Sequence, residues 1–340
     1  MSSVLLVDGD NLLTIGFHGL KNHFYKGNHI GGLYHFINTL RRCIEDYRLD
    51  KIVVFWDGED GSSFRRKIYS HYKESRHSRI RSDEELHSYT TQRNRIKQYL
   101  EELFIRQGEF QYCETDDNIA YYTRQSEKET KIVYSSDGDL TQLVSEEVKL
   151  YNPSHRKLYQ PNDLFVYDHE QIKIENIKLC KMLCGDHSDD IAGIKGMGVR
   201  TLLTWVPELK TETLTLKQIR DKFNILFEDN RDSKVINNFL TGVSKYGIFG
   251  DEFFEINEKI VSLEKPLLTN DAKAAIQSLI YDTMDPEGRS YKNTMKMMME
   301  DGIFLLLPKS DDAWINFLNP FLRLTRKEKN KKIIKIRDYE

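Results

Sequence analysis

Three short apolar runs in this chain end in the same way. "SVLLVDGD" (residues 3–10), "KIVVFWDGED" (51–60) and "KIVYSSDGD" (131–139) each carry an aliphatic or β-branched centre and leave through Asp-Gly. Runs of that length without polar alternation read as strands buried on both faces, the habit of parallel sheets. Helical patterns lie between them, at "GLYHFINTLRRCIEDYRL" (32–49) and "TTQRNRIKQYLEELFIRQ" (90–107). Strands alternating with helices indicate an α/β fold with a mainly parallel central sheet flanked by helices. In such folds ligands bind beyond the carboxyl ends of the strands, where the strand order reverses. Each run therefore delivers an aspartate to the edge where chemistry is expected.

Further along, "VKLYNPSHRKLYQ" (148–160) reads as a β-hairpin turning at Asn152-Pro153-Ser154. Past about residue 165 the pattern becomes helical, without internal repeats or low-complexity linkers. The expected organisation is an α/β core over 1–165, a helical part over 166–265 and a helical C-terminal extension over 266–340. At 340 residues the chain exceeds what one hydrophobic core usually serves. No apolar run approaches the length of a membrane span, and the apolar start is interrupted by Asp8, so a cytoplasmic protein is expected. A monomer is expected as well. Cys43, Cys113, Cys180 and Cys184 show no zinc-ribbon spacing, and structural thiols are expected over metal ligands.

The acids at strand exits and turns are Asp8, Asp57, Asp137, Asp139, Asp186 and Asp189. "CETDDNIAYY" adds Glu114, Asp116 and Asp117 at the start of a helix. Nine carboxylates on one edge repel unless cations neutralise them. A donor set of oxygens alone selects hard ions, Mg²⁺ or Mn²⁺. Two such ions form a recurring device for in-line phosphodiester hydrolysis. Taken singly, each aspartate is equally a helix cap or a turn residue.

The net charge of −3 hides two basic stretches. From Arg65 to Arg81 there are seven Lys/Arg (Arg65, Arg66, Lys67, Lys73, Arg76, Arg79, Arg81) against one acid, Glu74. Phe64, Tyr69 and Tyr72 are interleaved, a combination suited to single-stranded nucleic acid; the alternative is a solvated helix face. The second stretch, 323–335, is a basic tail. In "GDHSDDIAGIKGMGVRT" (185–201), Gly193, Gly196 and Gly198 space a turn between two short helices, with Lys195, Arg200 and Thr201 beside it. Such a helix–hairpin–helix can offer backbone N–H groups to a phosphate; the alternative is a plain linker.

The collinear order of "LLVDGDN", "FWDGEDGSSFRRKIYSHYKESR", "ETDDNIA", "SSDGDLTQL" and the glycine hairpin resembles the 5′-nuclease family over residues 3–265. That family comprises flap endonucleases, 5′-nuclease domains of bacterial DNA polymerases and phage 5′→3′ exonucleases, and the last two motifs look most like its T-even phage members. The resemblance implies a structure-directed 5′→3′ nuclease in DNA replication, leaving a 5′-phosphate and acting on flaps, nicked DNA or RNA:DNA primers. It implies Asp8, Asp57, Glu114 and Asp116 around one metal, with Asp137, Asp139, Asp186 and Asp189 around a second and Asp117 assisting through water. Lys73 and Arg76 would lie in a helical arch, about 64–97, and the hairpin would grip duplex backbone, with K⁺ on its turn carbonyls. Two positions depart: Asp190 stands where the family has Asn, and Ala192 where it has Pro. Trp314, Phe317, Phe321 and Leu322 read either as core or as a docking segment for single-strand-binding protein or a sliding clamp. A PIN-type single-strand ribonuclease and a non-catalytic DNA-junction binder remain as alternatives. The first lacks the glycine hairpin and basic segment, and the second has no use for nine acids.

Overall fold

The computed structural model describes residues 2–75, 82–126, 129–244, 250–284 and 289–337, with side chains described to 326. Five parallel strands and one antiparallel edge strand form the central sheet. They are β1 (Ser2–Asp8), β2 (Lys51–Trp56), β3 (Arg106–Glu109), β4 (Glu129–Tyr134), β5 (Val148–Asn152) and β6 (Lys157–Tyr159), ordered β3-β2-β1-β4-β5-β6. From β1 the chain builds outward through β2 and β3, then returns to build the other side through β4 and β5. The order thus reverses between β1 and β4, and a crevice opens beyond their carboxyl ends.

Alternation along the strands assigns the two faces. Val4, Leu6, Val53, Phe55 and Val133 enter one core. Leu5, Val7, Ile52, Val54, Trp56 and Ile132 enter the other. Both faces are dry, as the three apolar runs required. The second face is covered by α1 (Gly9–Gly19), α2 (Gly31–Tyr47) and α4 (Asp83–Glu102). The first carries α5 (Thr115–Gln125) and α6 (Ile177–Cys184), followed by α7 (Val199–Trp205), α8 (Leu216–Asp229), α9 (Lys234–Leu240) and α10 (Gly250–Val261). A six-residue helix, α3 (Ser63–Ile68), precedes α4.

The last third of the chain is divided between the faces. α11 (Asn270–Tyr281) packs on α5, whereas α12 (Tyr291–Glu300) and α13 (Ala313–Arg337) pack on α4 and α2. Phe317 and Phe321 are buried in the second core, so these two aromatics are core residues. Trp314 and Leu322 lie partly buried beside them.

Two elements differ from the sequence expectation. β3, "RQGE", has no apolar run; its order comes from pairing with β2, and a Cβ on Gly108 would meet the Phe55 ring at 2.8 Å. α4 starts at Asp83 and not at 90. Ser82 caps it by accepting from the Glu85 amide at 3.1 Å, the Ser-x-x-Glu start signal. The helix ends at Glu102, and residues 106–107 belong to β3. All four cysteines are free and buried. No helix among the described residues is long and apolar enough to cross a membrane.

Candidate active site

The strand ends place the acids. Asp8 closes β1 and caps α1, its Oδ1 accepting from the Asn11 amide at 3.0 Å and its Oδ2 from Ser135 Oγ at 3.0 Å. Asp57 follows β2, and its Oδ1 accepts from the Thr115 amide at 2.8 Å. Asp137 follows β4 and accepts from the Asp139 amide at 2.8 Å. Capping and cleft roles therefore coexist: one oxygen is fixed by a backbone N–H, which aims the carboxylate. Gly9 permits the crowding, since a Cβ there would lie 2.6 Å from the Trp56 ring.

Asp8, Asp57, Glu114, Asp116 and Asp137 line one cleft of about 460 Å³, together with Asp10, Lys73 and Arg93. Asp137 also lines an adjoining cavity of about 390 Å³ with Lys181 and Asp186. Asp116, Asp137 and Asp139 each bring an oxygen within 4.8 Å of the other two, close enough to share a metal ion.

Electrostatics report the crowding. Burial, then the neighbouring Asp57 carboxylate, lifts Asp8 to about 8. Asp116 is held well above the ordinary carboxylate range by burial and by Asp137, Asp8 and Asp139. Burial also lifts Asp139, to about 7, with Lys181 opposing it and Asp137 reinforcing it. Asp57 is exposed at the cleft mouth yet walled by protein; that desolvation, followed by Asp10, raises it as well. Carboxylates that resist ionisation together are a site short of positive charge, and their oxygen-only donors fit a hard divalent cation.

Other expected ligands already hold cations of the chain. Glu114 accepts from Arg65 Nη1 at 2.7 Å and contacts Lys73 Nζ. Burial opposes its ionisation, but Lys73 and Arg65 outweigh it and hold the carboxyl at about 2. Asp117 points away from the cleft, to the Arg65 guanidinium and the Leu267 amide at 3.0 Å. Asp186 accepts from Ser188 and lies 2.8 Å from Lys181 Nζ; despite burial, these partners hold it at about 2. Asp189 accepts from Tyr72 Oη at 3.2 Å and lies 3.9 Å from Lys73 Nζ.

Lys181 escaped the sequence reading. Its Nζ is buried 2.7 Å from Asp139, 2.8 Å from Asp186 and 3.8 Å from Asp137. Burial disfavours its charge, but the three carboxylates keep it protonated well beyond the usual lysine range. The available signal was a lysine between Cys180 and Met182 in the apolar run "IKLCKMLC", whose other lysine, Lys178, stays partly exposed. Arg93 was missed too. It grips Asp10 at 2.7 and 3.1 Å, and Asp10 in turn accepts from the Asp57 amide at 3.0 Å, so this additional acid positions the Asp57 turn.

The basic segment divides. Arg65, grouped by sequence with nucleic-acid contacts, is buried against Glu114, Asp117 and the Ile260 carbonyl, and its guanidinium has no face toward solvent. Tyr69 and Tyr72 are likewise core and offer no stacking surface. Lys67 is exposed, and Arg66 and Lys73 are partly so. Arg76, Arg79 and Arg81 lie outside the described residues. In the glycine hairpin, Gly185–Asp186 pairs antiparallel with Ile191–Ala192 between α6 and α7. A Cβ on Gly193 would lie 2.1 Å from the Cys184 backbone, so only glycine closes this turn. Lys195, Gly196, Gly198 and Arg200 face solvent, Thr201 partly so. The Lys195 carbonyl is already occupied by Asn238 Nδ2 at 2.9 Å.

Comparison with known proteins agrees with this geometry. Residues 3–174 match the model of the 5′-3′ exonuclease N-terminal, resolvase-like domain. A 5′-3′ exonuclease of Mycoplasmopsis pulmonis is 25% identical over 84% of this chain and 91% of its own. DNA polymerase I of Borreliella burgdorferi is 24% identical over 88% of this chain, which spans only 37% of that polymerase. Among solved structures, the phage T5 D15 flap endonuclease in a pseudo-enzyme-product complex with DNA and metal ions superposes with a TM-score of 0.60. That match covers 95% of this chain and 99% of the T5 chain at 19% identity, a likeness of fold. With the family's N-terminal domain matched across half its length, this chain belongs to the 5′-3′ exonucleases.

Proposed function

We propose that the chain is a metal-dependent, structure-specific 5′ nuclease that hydrolyses phosphodiesters at the 5′ ends of flaps, nicks or RNA primers during DNA replication. The observation that carries this reading is the convergence of Asp116, Asp137 and Asp139 within 4.8 Å, at the crevice that Asp116 and Asp137 line together with Asp8 and Asp57. Mg²⁺ or Mn²⁺ held there supplies Lewis acidity and a nucleophilic water at neutral pH. Asp116, Asp137 and Asp139 would ligate directly, with Asp8 and Asp57 facing them. Glu114, Asp186 and Asp189 act more through the chain's own donors, orienting Lys73, Lys181 and Tyr72, while Asp117 fixes Arg65.

Lys73 stands at the cleft wall with its Nζ directed at the acids, where it would meet the scissile phosphate and offset its charge. Arg66, Lys67 and the following basic residues would steer the 5′ strand. The exposed turn from Lys195 to Thr201 would hold duplex backbone farther along. K⁺ at that turn would share the Lys195 carbonyl with Asn238 Nδ2 or use the neighbouring carbonyls. A single-strand-binding protein or sliding clamp would have to dock outside Phe317 and Phe321, on surface such as exposed Leu305 and Ile315.

The test is cleavage of a 5′-labelled flap and of an RNA primer–template hybrid, each with and without Mg²⁺, mapping the first cut. Metal-dependent cleavage near the junction is expected. Cleavage of single-stranded RNA alone would favour a ribonuclease, and no cleavage of either substrate with metal present would end the enzymatic reading.

A further inference from the structure

A second cavity, of about 580 Å³, opens where α2 passes the ends of β4 and β5. It is larger than the acidic cleft, and no residue of the site described above lines it. Tyr47, Tyr134 and Tyr151 form its aromatic wall. The Tyr134 and Tyr151 rings stack with centroids 5.3 Å apart at 30°, and Tyr47 meets Tyr151 edge-on at 6.4 Å. The Thr39 hydroxyl, also at the cavity, lies 3.5 Å from His35 Nε2.

Arg42 and Arg156 line the same cavity. Both are exposed, and among the described residues neither side chain makes a hydrogen bond or an ion pair. Asp46 is also at the cavity, one helical turn from Arg42, without pairing to it. The charge of Arg42 reaches inward: after burial, it is what holds the His35 imidazole below its ordinary pKa. His35 is therefore neutral near pH 7, able to donate from one ring nitrogen and accept at the other.

Flat aromatic faces beside two unpaired guanidiniums suit a ligand that is planar at one end and anionic at the other. Aromatic rings stack on nucleobases regardless of sequence, and guanidiniums bind phosphate oxygens in forked pairs. The volume lies within the roughly 300–1,000 Å³ of small-molecule sites. We propose that this cavity binds one nucleotide unit, its base against the tyrosines and its phosphate between Arg42 and Arg156. The unit is either a free mononucleotide or one nucleotide of a single strand. This inference does not depend on the nuclease reading, since it uses none of the cleft carboxylates.

The experiment is photo-crosslinking of the full chain in EDTA, which keeps metal-assisted binding in the cleft out of the measurement. One arm uses 5-iodo-dUMP and the other a single-stranded oligonucleotide carrying one 5-iodo-dU; crosslinked peptides are mapped by mass spectrometry. The expected result is crosslinking at Tyr47 or Tyr151, reduced about tenfold in an Arg42→Glu/Arg156→Glu variant that has lost both phosphate contacts. Thermal melting of that variant verifies its fold, which two exposed positions should tolerate. Crosslinking by the mononucleotide identifies a free-nucleotide site, and crosslinking only within the oligonucleotide identifies a strand site. No crosslink at these tyrosines in either arm, or an undiminished yield in the folded variant, overturns the proposal.

Discussion

The Ser75 amide donates to Asp190 Oδ2 at 2.7 Å. Two residues earlier, the Lys73 amide donates to the Asp189 carbonyl at 2.9 Å. The foot of the basic segment is thereby docked on the glycine hairpin, and Lys73 is clamped beside Glu114. Asp190, the acid for which the sequence offered no role, is the acceptor in this dock. Its backbone is left-handed, with φ of 56°, a conformation open to Asp, Asn and Gly.

That geometry separates two substitutions. Asp190→Asn keeps an oxygen acceptor and a tolerated backbone, so cleavage and melting should remain near wild type. Asp190→Gly keeps the backbone but deletes the acceptor, a loss of about 1.5–3 kcal/mol for a hydrogen bond to a charged group. Flap cleavage by the Gly variant should fall about tenfold in kcat as Lys73 loosens. Equal activity of the two variants would remove positioning from the functions of Asp190.

Asp137 borders both halves of the acidic site and belongs to the three-carboxylate cluster. Asp137→Asn keeps the cap on the Asp139 amide but removes one of the cluster's three ligating charges. Cleavage should drop by about 10²–10³ or more, while flap affinity measured in Ca²⁺ stays within a few-fold. A variant cutting at near wild-type rate would falsify the assignment.

Lys181 answers a different question, namely what neutralises Asp139 and Asp186 when no ion is bound. Lys181→Met fills the same space without the charge and strands two buried carboxylates. Breaking such a buried pair costs about 3–5 kcal/mol. The melting temperature of the variant in EDTA should therefore fall by several degrees, and saturating Mg²⁺ should recover more of the loss than it adds to wild type. An equal metal increment in both proteins would show that Lys181 and the ion do not share a role.

What could be read beforehand follows from where the information sits. β1, β2, β4 and the β5–β6 hairpin were legible because their own side chains supply the burial. β3 was not, because "RQGE" is ordered by its neighbour, and the start of α4 was passed over although Ser82 and Glu85 signal it. The cleft acids were legible as a set, since repeated Asp exits from parallel strands converge by topology. Arg65 was misjudged for the opposite reason: its partners Glu114 and Asp117 lie about fifty positions away, and local charge cannot reveal a distant pairing. Lys181 was hidden in an apolar helix, although a charge in such a run has to find a partner.

The raised carboxylates set a pH dependence whose sign is opposite to that of an ordinary ion pair. Asp8 titrates at about 8 and Asp139 at about 7 in the folded chain, each well above its unfolded value. Between the unfolded and folded values the native state binds more protons than the unfolded one, so this contribution to stability falls as pH rises. In EDTA, melting temperature attributable to the site should decline from pH 5 to pH 8. A divalent ion competes with those protons, so Mg²⁺ should bind more tightly as pH rises and release protons on binding. Calorimetric titration with Mg²⁺ in two buffers of different ionisation enthalpy measures that release. A proton count of zero at pH 7, or a metal-free stability that rises toward pH 8 in wild type and not in Asp8→Asn, would contradict the crowding of carboxylates on which the site is built.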